Sequence, residues 1–303
     1  MAIDRRNIYY NAVLGACGGL CGWVAVRLID GVLPGTTNVY VKDFFIGLLA
    51  GACIGAAIGS TDGLVVSRTR RRLIDGVRYG AILGAVGGAV GGILAELLLT
   101  YSESLGRILP RALAWGIFGA LVGSSDGFAA KMPARIRYGV IGGLLGGVIG
   151  GATYEWLMQA LKAWGGMSAG AANGWGSALG LIIVGACIGA LIGLVESLLR
   201  TAWLRFINGR FEGQSRTLDP GGGATTIGSS DLCHVVLFGD ASALAVHAQI
   251  VPDGGKYVIQ SRDGAVSVDR NGVLPAASSY PLQSGDRVQV GATRFTFLSE
   301  DAK

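Results

Sequence analysis

Arg78–Glu96 reads RYGAILGAVGGAVGGILAE, and Arg137–Glu155 reads RYGVIGGLLGGVIGGATYE. The two stretches align without a gap, and each is apolar between its charged ends. Glycine in a helix interior costs about 1 kcal/mol relative to alanine in water. In a run this apolar it instead leaves a groove along one helix face, where a neighbouring helix can settle at close range. The first apolar run fits the same template: Gly15, Gly18, Gly19 and Gly22 align with Gly84, Gly87, Gly88 and Gly91. Arg27 then falls where Glu96 and Glu155 fall. A second template alternates with the first. Gly55-x-x-x-Gly59-x-x-Asp62, Gly119-x-x-x-Gly123-x-x-Asp126 and Gly189-x-x-x-Gly193-x-x-Glu196 align, each followed by basic residues. Two helix types alternating three times predict a membrane all-α six-helix bundle of three pseudo-repeated pairs, packed through glycine zippers. Grooves that line a pore are the alternative to grooves that pack helices.

Composition agrees with that reading. Of 303 residues, 51% are hydrophobic, 15% charged and 52 are glycine. A soluble domain carries about 25% charged residues and about 7% glycine, so an ordinary soluble enzyme is excluded as the first expectation. The sequence has neither the low hydrophobicity of a disordered chain nor a collagen period. A bilayer core about 30 Å thick needs about 20 apolar helical residues. Six stretches qualify, roughly 8–29, 43–66, 79–101, 111–130, 138–160 and 176–200.

Basic residues set the expected orientation. Arg5 and Arg6 precede the first span, and Arg68, Arg70, Arg71, Arg72 and Arg78 lie between the second and third. Lys131, Arg135 and Arg137 lie between the fourth and fifth, and Arg200, Arg205 and Arg210 follow the sixth. The alternate loops carry few. By the positive-inside rule both termini are cytoplasmic, in a multi-pass protein of the cell (inner) membrane. The net charge of +5 is thereby explained in part by topology, and no nucleic-acid partner is expected. Membrane lipids are expected neighbours, with Arg200, Arg205 and Arg210 suited to anionic headgroups. A homo-oligomer is compatible with the sequence.

The repeat also places two rings of charge. Asp62, Asp126 and Glu196 sit near the cytoplasmic ends of the even spans, and Arg27, Glu96 and Glu155 near the outer ends of the odd ones. Charges near a helix end can pair or snorkel, which cuts the cost of immersion. Pairing of Arg27 with Glu96 or Glu155, and of the cytoplasmic acids with loop arginines, is one reading. A cation or proton pathway between the rings is the other.

Catalytic signals are missing. Cys17, Cys21, Cys53, Cys187 and Cys233 form no even framework and no zinc or redox spacing. No phosphate loop, metalloprotease, nucleophile-elbow or EF-hand pattern occurs. With two histidines, His234 and His247, and no Cys/His cluster, no metal, cofactor or enzymatic activity is expected.

Composition changes at about residue 202, dividing the chain into 1–201 and 202–303. Beyond it, short alternating or β-branched segments are separated by Gly, Asp, Asn and Pro, as in a β-sandwich. Trp203–Ile207, Gly213–Leu218, Thr225–Ile227, Val235–Leu237, Ala248–Pro252, Tyr257–Gln260, Val266–Val268, Arg287–Val290 and Arg294–Leu298 read as strands.

Ile227-Gly228, His247-Ala248 before a strand, Asn271-Gly272 and Leu282-x-x-Gly285-Asp286-x-Val288-x-Val290-Gly291 resemble a forkhead-associated (FHA) domain over roughly 202–300. The resemblance implies an all-β sandwich that recognises phosphothreonine peptides through loops at one end. It implies framework roles for Gly228, His247, Gly272, Gly285 and Asp286. It places partner-binding positions at Ser229, Ser230, Leu244, Ala245, Asp263 and Asn271. The phosphate-reading residues do not carry over. The family's Arg after the glycine is Ser229, its Ser-Arg-x-His is Leu244-Ala245-Val246-His247, and the Asn opening its Asn-Gly-Thr loop is Asp263. Phosphate recognition relies on Arg and charge-assisted hydrogen bonds, so these exchanges remove one positive charge and add a negative one.

The expectation is an integral membrane protein that presents an FHA-like interaction module at the cytoplasmic face, recruiting or scaffolding a protein partner without phosphate. The alternative is a small ion or proton channel or transporter, with the FHA-like domain as a regulatory or assembly module.

Overall fold

Glycine spacing becomes helix contact in the computed structural model. It describes residues 4–31, 38–66, 69–101, 108–130, 132–163, 169–209, 211–218, 223–237, 239–254, 256–270, 272–274 and 278–299. Six helices make up the first part: α1 (Arg5–Asp30), α2 (Val39–Thr61), α3 (Arg70–Tyr101), α4 (Ile108–Ala130), α5 (Pro133–Ala163) and α6 (Ala169–Leu199). All six are long and apolar enough to cross a membrane. Asp4 caps α1 by accepting from the Asn7 amide at 3.2 Å, and Asn38 caps α2 by accepting from the Tyr40 amide at 2.9 Å. A π-helical turn, Asp62–Val66, follows α2.

The helices outrun their apolar stretches. Arg70–Arg72 and Arg78 were expected in a loop, but α3 begins at Arg70 and carries them as its first turns. Likewise α5 begins at Pro133 and carries Arg135 and Arg137. Hydropathy marks only the part of a helix that is apolar, whereas arginine is itself a good helix former.

Three antiparallel helix pairs meet backbone to backbone. On α2 and α3, a methyl group placed on Gly47, Gly51, Gly55 or Gly59 would run into the carbonyl oxygen of Gly88, Gly84, Gly80 or Gly76 respectively. On α4 and α5, Gly119 and Gly123 face the carbonyls of Gly143 and Gly139 in the same way. On α1 and α6, Gly15 faces Gly185, and Gly19 faces the Leu181 carbonyl. Inside the bundle, Ile54, Ile58, Phe118, Val122, Val184, Ile188 and Ile192 form one buried cluster. Ile54, Phe118 and Ile188 each precede a glycine of the second template, Gly55, Gly119 and Gly189. One residue of that template therefore packs on a neighbouring backbone while the residue before it fills the interior.

The second part is a sandwich of two sheets. β1 (Ala202–Phe206), β2 (Ser215–Thr217), β7 (Val266–Val268), β8 (Gly272–Leu274), β10 (Arg287–Val290) and β11 (Thr293–Ser299) form one, in the order β2-β1-β11-β10-β7-β8. β3 (Thr225–Gly228), β4 (Val235–Val236), β5 (Ala248–Asp253), β6 (Lys256–Ser261) and β9 (Ser279–Leu282) form the other, in the order β4-β3-β5-β6-β9. The pairings are antiparallel except β3 with β4. Alternation along the strands sends Leu204, Phe206, Ile227, Ile250, Ile259, Val288, Phe295 and Phe297 inward to a common core. Phe206 and Phe295 pack with ring centroids 5.8 Å apart, in a tilted arrangement.

Sequence reading missed two strands, β8 and β9, and both lie at sheet edges. β9 contains Pro281, which an edge strand tolerates because one side of its backbone needs no partner. β8 is short and leaves Val273 exposed, so it lacks the alternation of a half-buried strand.

Candidate partner-binding site

Three loops converge at the end of β3. The first follows Gly228, the second runs through 239–247 into β5, and the third is 262–265, between β6 and β7. Backbone bonds fasten the first to the second: Ser229 N–H donates to the Leu244 carbonyl at 2.9 Å, and Ser230 N–H to the Ala245 carbonyl at 3.2 Å. Gly228 is required by that approach, since any Cβ there would strike the Ala245 carbonyl oxygen.

His247 ties all three together. It is 4% exposed, so its two nitrogens need partners within the protein. Leu244 N–H donates to Nδ1 at 3.2 Å, which leaves Nε2 carrying the proton and donating to the Ala265 carbonyl at 2.9 Å. Its backbone adds two bonds, donating to the Ile227 carbonyl at 2.9 Å and accepting from Arg262 N–H at 3.0 Å. Gly264 lies flat against the imidazole, where a Cβ would collide with the ring. Both nitrogens are used in holding loops, which leaves none for a metal or a proton transfer.

Ser229, Ser230, Leu244, Ala245 and Asp263 lie together at one end of the sandwich. Asn271 lies outside the described residues. Gly272 opens β8 in the left-handed region at φ +71°, and Gly285 does the same in the turn before β10 at φ +97°. Asp286 is buried: its carboxylate accepts from the Gln283 amide at 2.7 Å and pairs with Arg270 at 2.8 Å. These three residues shape the framework away from the loop end.

The site also contains residues that the sequence reading passed over. Asp240 holds the second loop to the turn between β10 and β11. Its carboxylate accepts from Ala292 N–H and Thr293 N–H, each at 2.9 Å, and from the Thr293 and Ser242 hydroxyls at 2.8 and 2.7 Å. Burial works against its ionisation, but these hydrogen bonds outweigh it and hold its pKa below the ordinary 3.8. Asp240-x-Ser242 is a local turn signal that could have revealed it. Leu232 and Leu244, on the two bonded loops, are 70% and 45% exposed. Arg262, beside Asp263 in the third loop, donates to Gln249 Oε1 at 2.9 Å.

Residues 225–291 match the FHA domain family model. The FHA match stops short of β1, β2 and the six helices. Solved structures similar to the chain include the FHA domain of CT664 from Chlamydia trachomatis (22% identity, 33% of this chain and 97% of that one, TM-score 0.29). Another is the N-terminal FHA domain of S. cerevisiae Rad53p with a phosphothreonine peptide (15%, 33% and 94%, TM-score 0.30). A third is the FhaA FHA domain complexed with the intracellular domain of Rv3910 (19%, 32% and 99%, TM-score 0.28). No curated protein matches the chain. An FHA domain is a protein-interaction module, typically for phosphopeptides.

The helix charges of the repeat meet partners on neighbouring helices. Asp62 and Glu196 share Arg135, at 3.7 and 3.6 Å, and Asp62 also meets Arg72 at 3.3 Å. Asn7 Nδ2 donates to Glu196 at 3.1 Å, bringing α1 into the same network. The side chain of Asp126 lies outside the described residues. Glu155 pairs with Arg111 at 3.0 Å, and the Arg27 guanidinium lies over Trp23 at 5.7 Å. Glu96 stands beside Asp43. Arg111 and Asp43 escaped notice because they fall at helix ends outside both glycine templates. Arg200, expected at lipid headgroups, is instead buried with its guanidinium 4.4 Å from the Trp203 ring centroid; Arg210 lies outside the described residues.

Proposed function

We propose that this is a multi-pass protein of the inner membrane whose six helices anchor an FHA domain at the cytoplasmic face, where the domain recruits a protein partner without phosphate. The observation that carries the proposal is the contrast at the loop end. The framework is intact, with His247 buried and fully hydrogen-bonded, while the phosphate-reading positions hold Ser229, Leu244 and Asp263. A loop end that keeps its scaffold but loses its cations presents Leu232 and Leu244, and it suits an apolar and hydrogen-bonding protein surface better than a dianion.

The anchor reading draws on helix length, on the arginine distribution and on the three glycine-faced helix pairs. Those pairs support an internal repeat with threefold pseudosymmetry and glycine-zipper packing. Both termini are then cytoplasmic, and no catalytic role is assigned to either part. Binding of phosphothreonine and unphosphorylated peptide libraries to the full chain in nanodiscs tests the proposal. Equal response to the two libraries is expected. Tight binding that requires phosphate and is lost on Ser229→Ala overturns it.

A further inference from the structure

The interior of the helical unit narrows to small residues toward one end. Ile54, Phe118 and Ile188 fill the middle, but one turn along the same faces stand Ala50, Ala114 and Val184. Two alanines in place of branched or aromatic side chains leave a cavity of about 300 Å³. It lies among the end of α1, the start of α2, the end of α3 and the start of α4, with Tyr154 of α5 and Leu181 of α6 completing the wall. That is the lower end of the size range of small-molecule sites.

The cavity walls are unusual for an apolar bundle. Trp23, Trp115, Phe118 and Tyr154 supply aromatic surface, and Arg27, Asp43, Glu96 and Arg111 supply charge. Asp43 and Glu96 line the same wall of the cavity, and Arg111 is held by Glu155 at 3.0 Å. Arg27 has no carboxylate partner among the described residues; its guanidinium rests over Trp23. The Tyr154 hydroxyl likewise has no hydrogen-bond partner among the described residues. A carboxyl pair is therefore set apart from an arginine whose charge the described residues leave uncompensated. Intramembrane charges are costly and concentrate where they do work.

We propose that this cavity binds a small zwitterion, its ammonium group held by Asp43 and Glu96, its anionic group by Arg27, and its apolar body against Trp23 and Trp115. A free amino acid and the headgroup of phosphatidylethanolamine share this chemistry. The site is independent of the FHA domain, so its fate does not depend on how the loop end reads partners.

The full chain in detergent, titrated with L-phenylalanine, phenethylamine and 3-phenylpropanoate, tests the proposal through tryptophan fluorescence and thermal shift. The last two ligands keep the ring and only one charge each. Nanodiscs of phosphatidylethanolamine and of phosphatidylglycerol form the lipid arm. The expected result is that L-phenylalanine binds at least tenfold more tightly than either single-charge analogue, or that phosphatidylethanolamine alone stabilises the chain and blocks L-phenylalanine. Arg27→Gln and Glu96→Gln each then lose at least tenfold for the zwitterion, while Arg27→Gln retains phenethylamine. The analogue series on the unaltered chain decides the matter even where a variant fails to fold. The proposal is overturned if a single-charge analogue binds as tightly as the zwitterion. It is equally overturned if L-phenylalanine gives no response and the two lipids behave alike.

Discussion

Replacing His247 with alanine should open the partner-binding end without unfolding the sandwich. The imidazole accepts from Leu244 N–H at 3.2 Å and donates to the Ala265 carbonyl at 2.9 Å, so the variant strands one donor and one acceptor. A buried polar group left unpaired costs about 1–3 kcal/mol. Leu244 and Ala265 are exposed residues, so water recovers part of that loss. Adding the void left by a ring that is 4% exposed gives about 2–4 kcal/mol in total. A domain with about 5–15 kcal/mol of stability survives this. The loops, which depend on the ring directly, do not. Hydrogen exchange read by mass spectrometry on the full chain in nanodiscs should show faster exchange at 228–233, 243–247 and 262–265, with β10 and β11 unchanged. Gly264→Ala should give the same pattern, because its methyl group would displace the ring. Unchanged exchange in all three loops would refute the assignment of His247 as their common tie.

Three further outcomes follow from the same geometry. Gly55→Leu should destabilise the bundle by more than the ~1–3 kcal/mol of ordinary overpacking, because its Cβ meets the Gly80 carbonyl oxygen; Gly31→Ala, whose Cβ would lie 3.6 Å from its nearest neighbour, should leave the melting temperature unchanged. Arg135→Gln should destabilise the chain in chemical denaturation by about 1–3 kcal/mol, less than a fully uncompensated buried charge, since Asp62 keeps Arg72 while Glu196 loses its cation; adding Glu196→Gln should restore part of it. The contribution of Asp240 depends on pH with a definite sign. Its folded pKa lies below 3.8, so its stabilisation is complete above about pH 4 and disappears as pH falls through the lowered value. Asp240→Asn should accordingly lower the melting temperature at pH 7 and flatten its decline between about pH 4 and 2.

The two parts of the chain were legible in the sequence for different reasons. Glycine every fourth residue specifies which helix face can approach another backbone, and the pairs Gly47/Gly88 through Gly59/Gly76 use that face. Strand alternation identified the interior strands, where burial imposes a period of two. The edge strands β8 and β9 escaped because an edge imposes no such period and admits Pro281. Motif residues at the loop end, such as Gly228 and His247, could be named because each does a job that few residue types can do. The distant partners of the residues that complete the geometry could not. Asp240 acts on Thr293, far along the chain, and Arg111 acts on Glu155 across two helices. Nothing in their local sequence encodes those partners.

Phosphate-independent recruitment by a membrane-held FHA domain is the central claim. Its most direct test is crosslinking of the full chain in intact membranes, followed by purification with and without phosphatase treatment, in the unaltered chain and in Leu232→Glu with Leu244→Glu. The account predicts a crosslinked partner that survives phosphatase and is lost in the leucine variant. A partner released by phosphatase and retained by the leucine variant would contradict it.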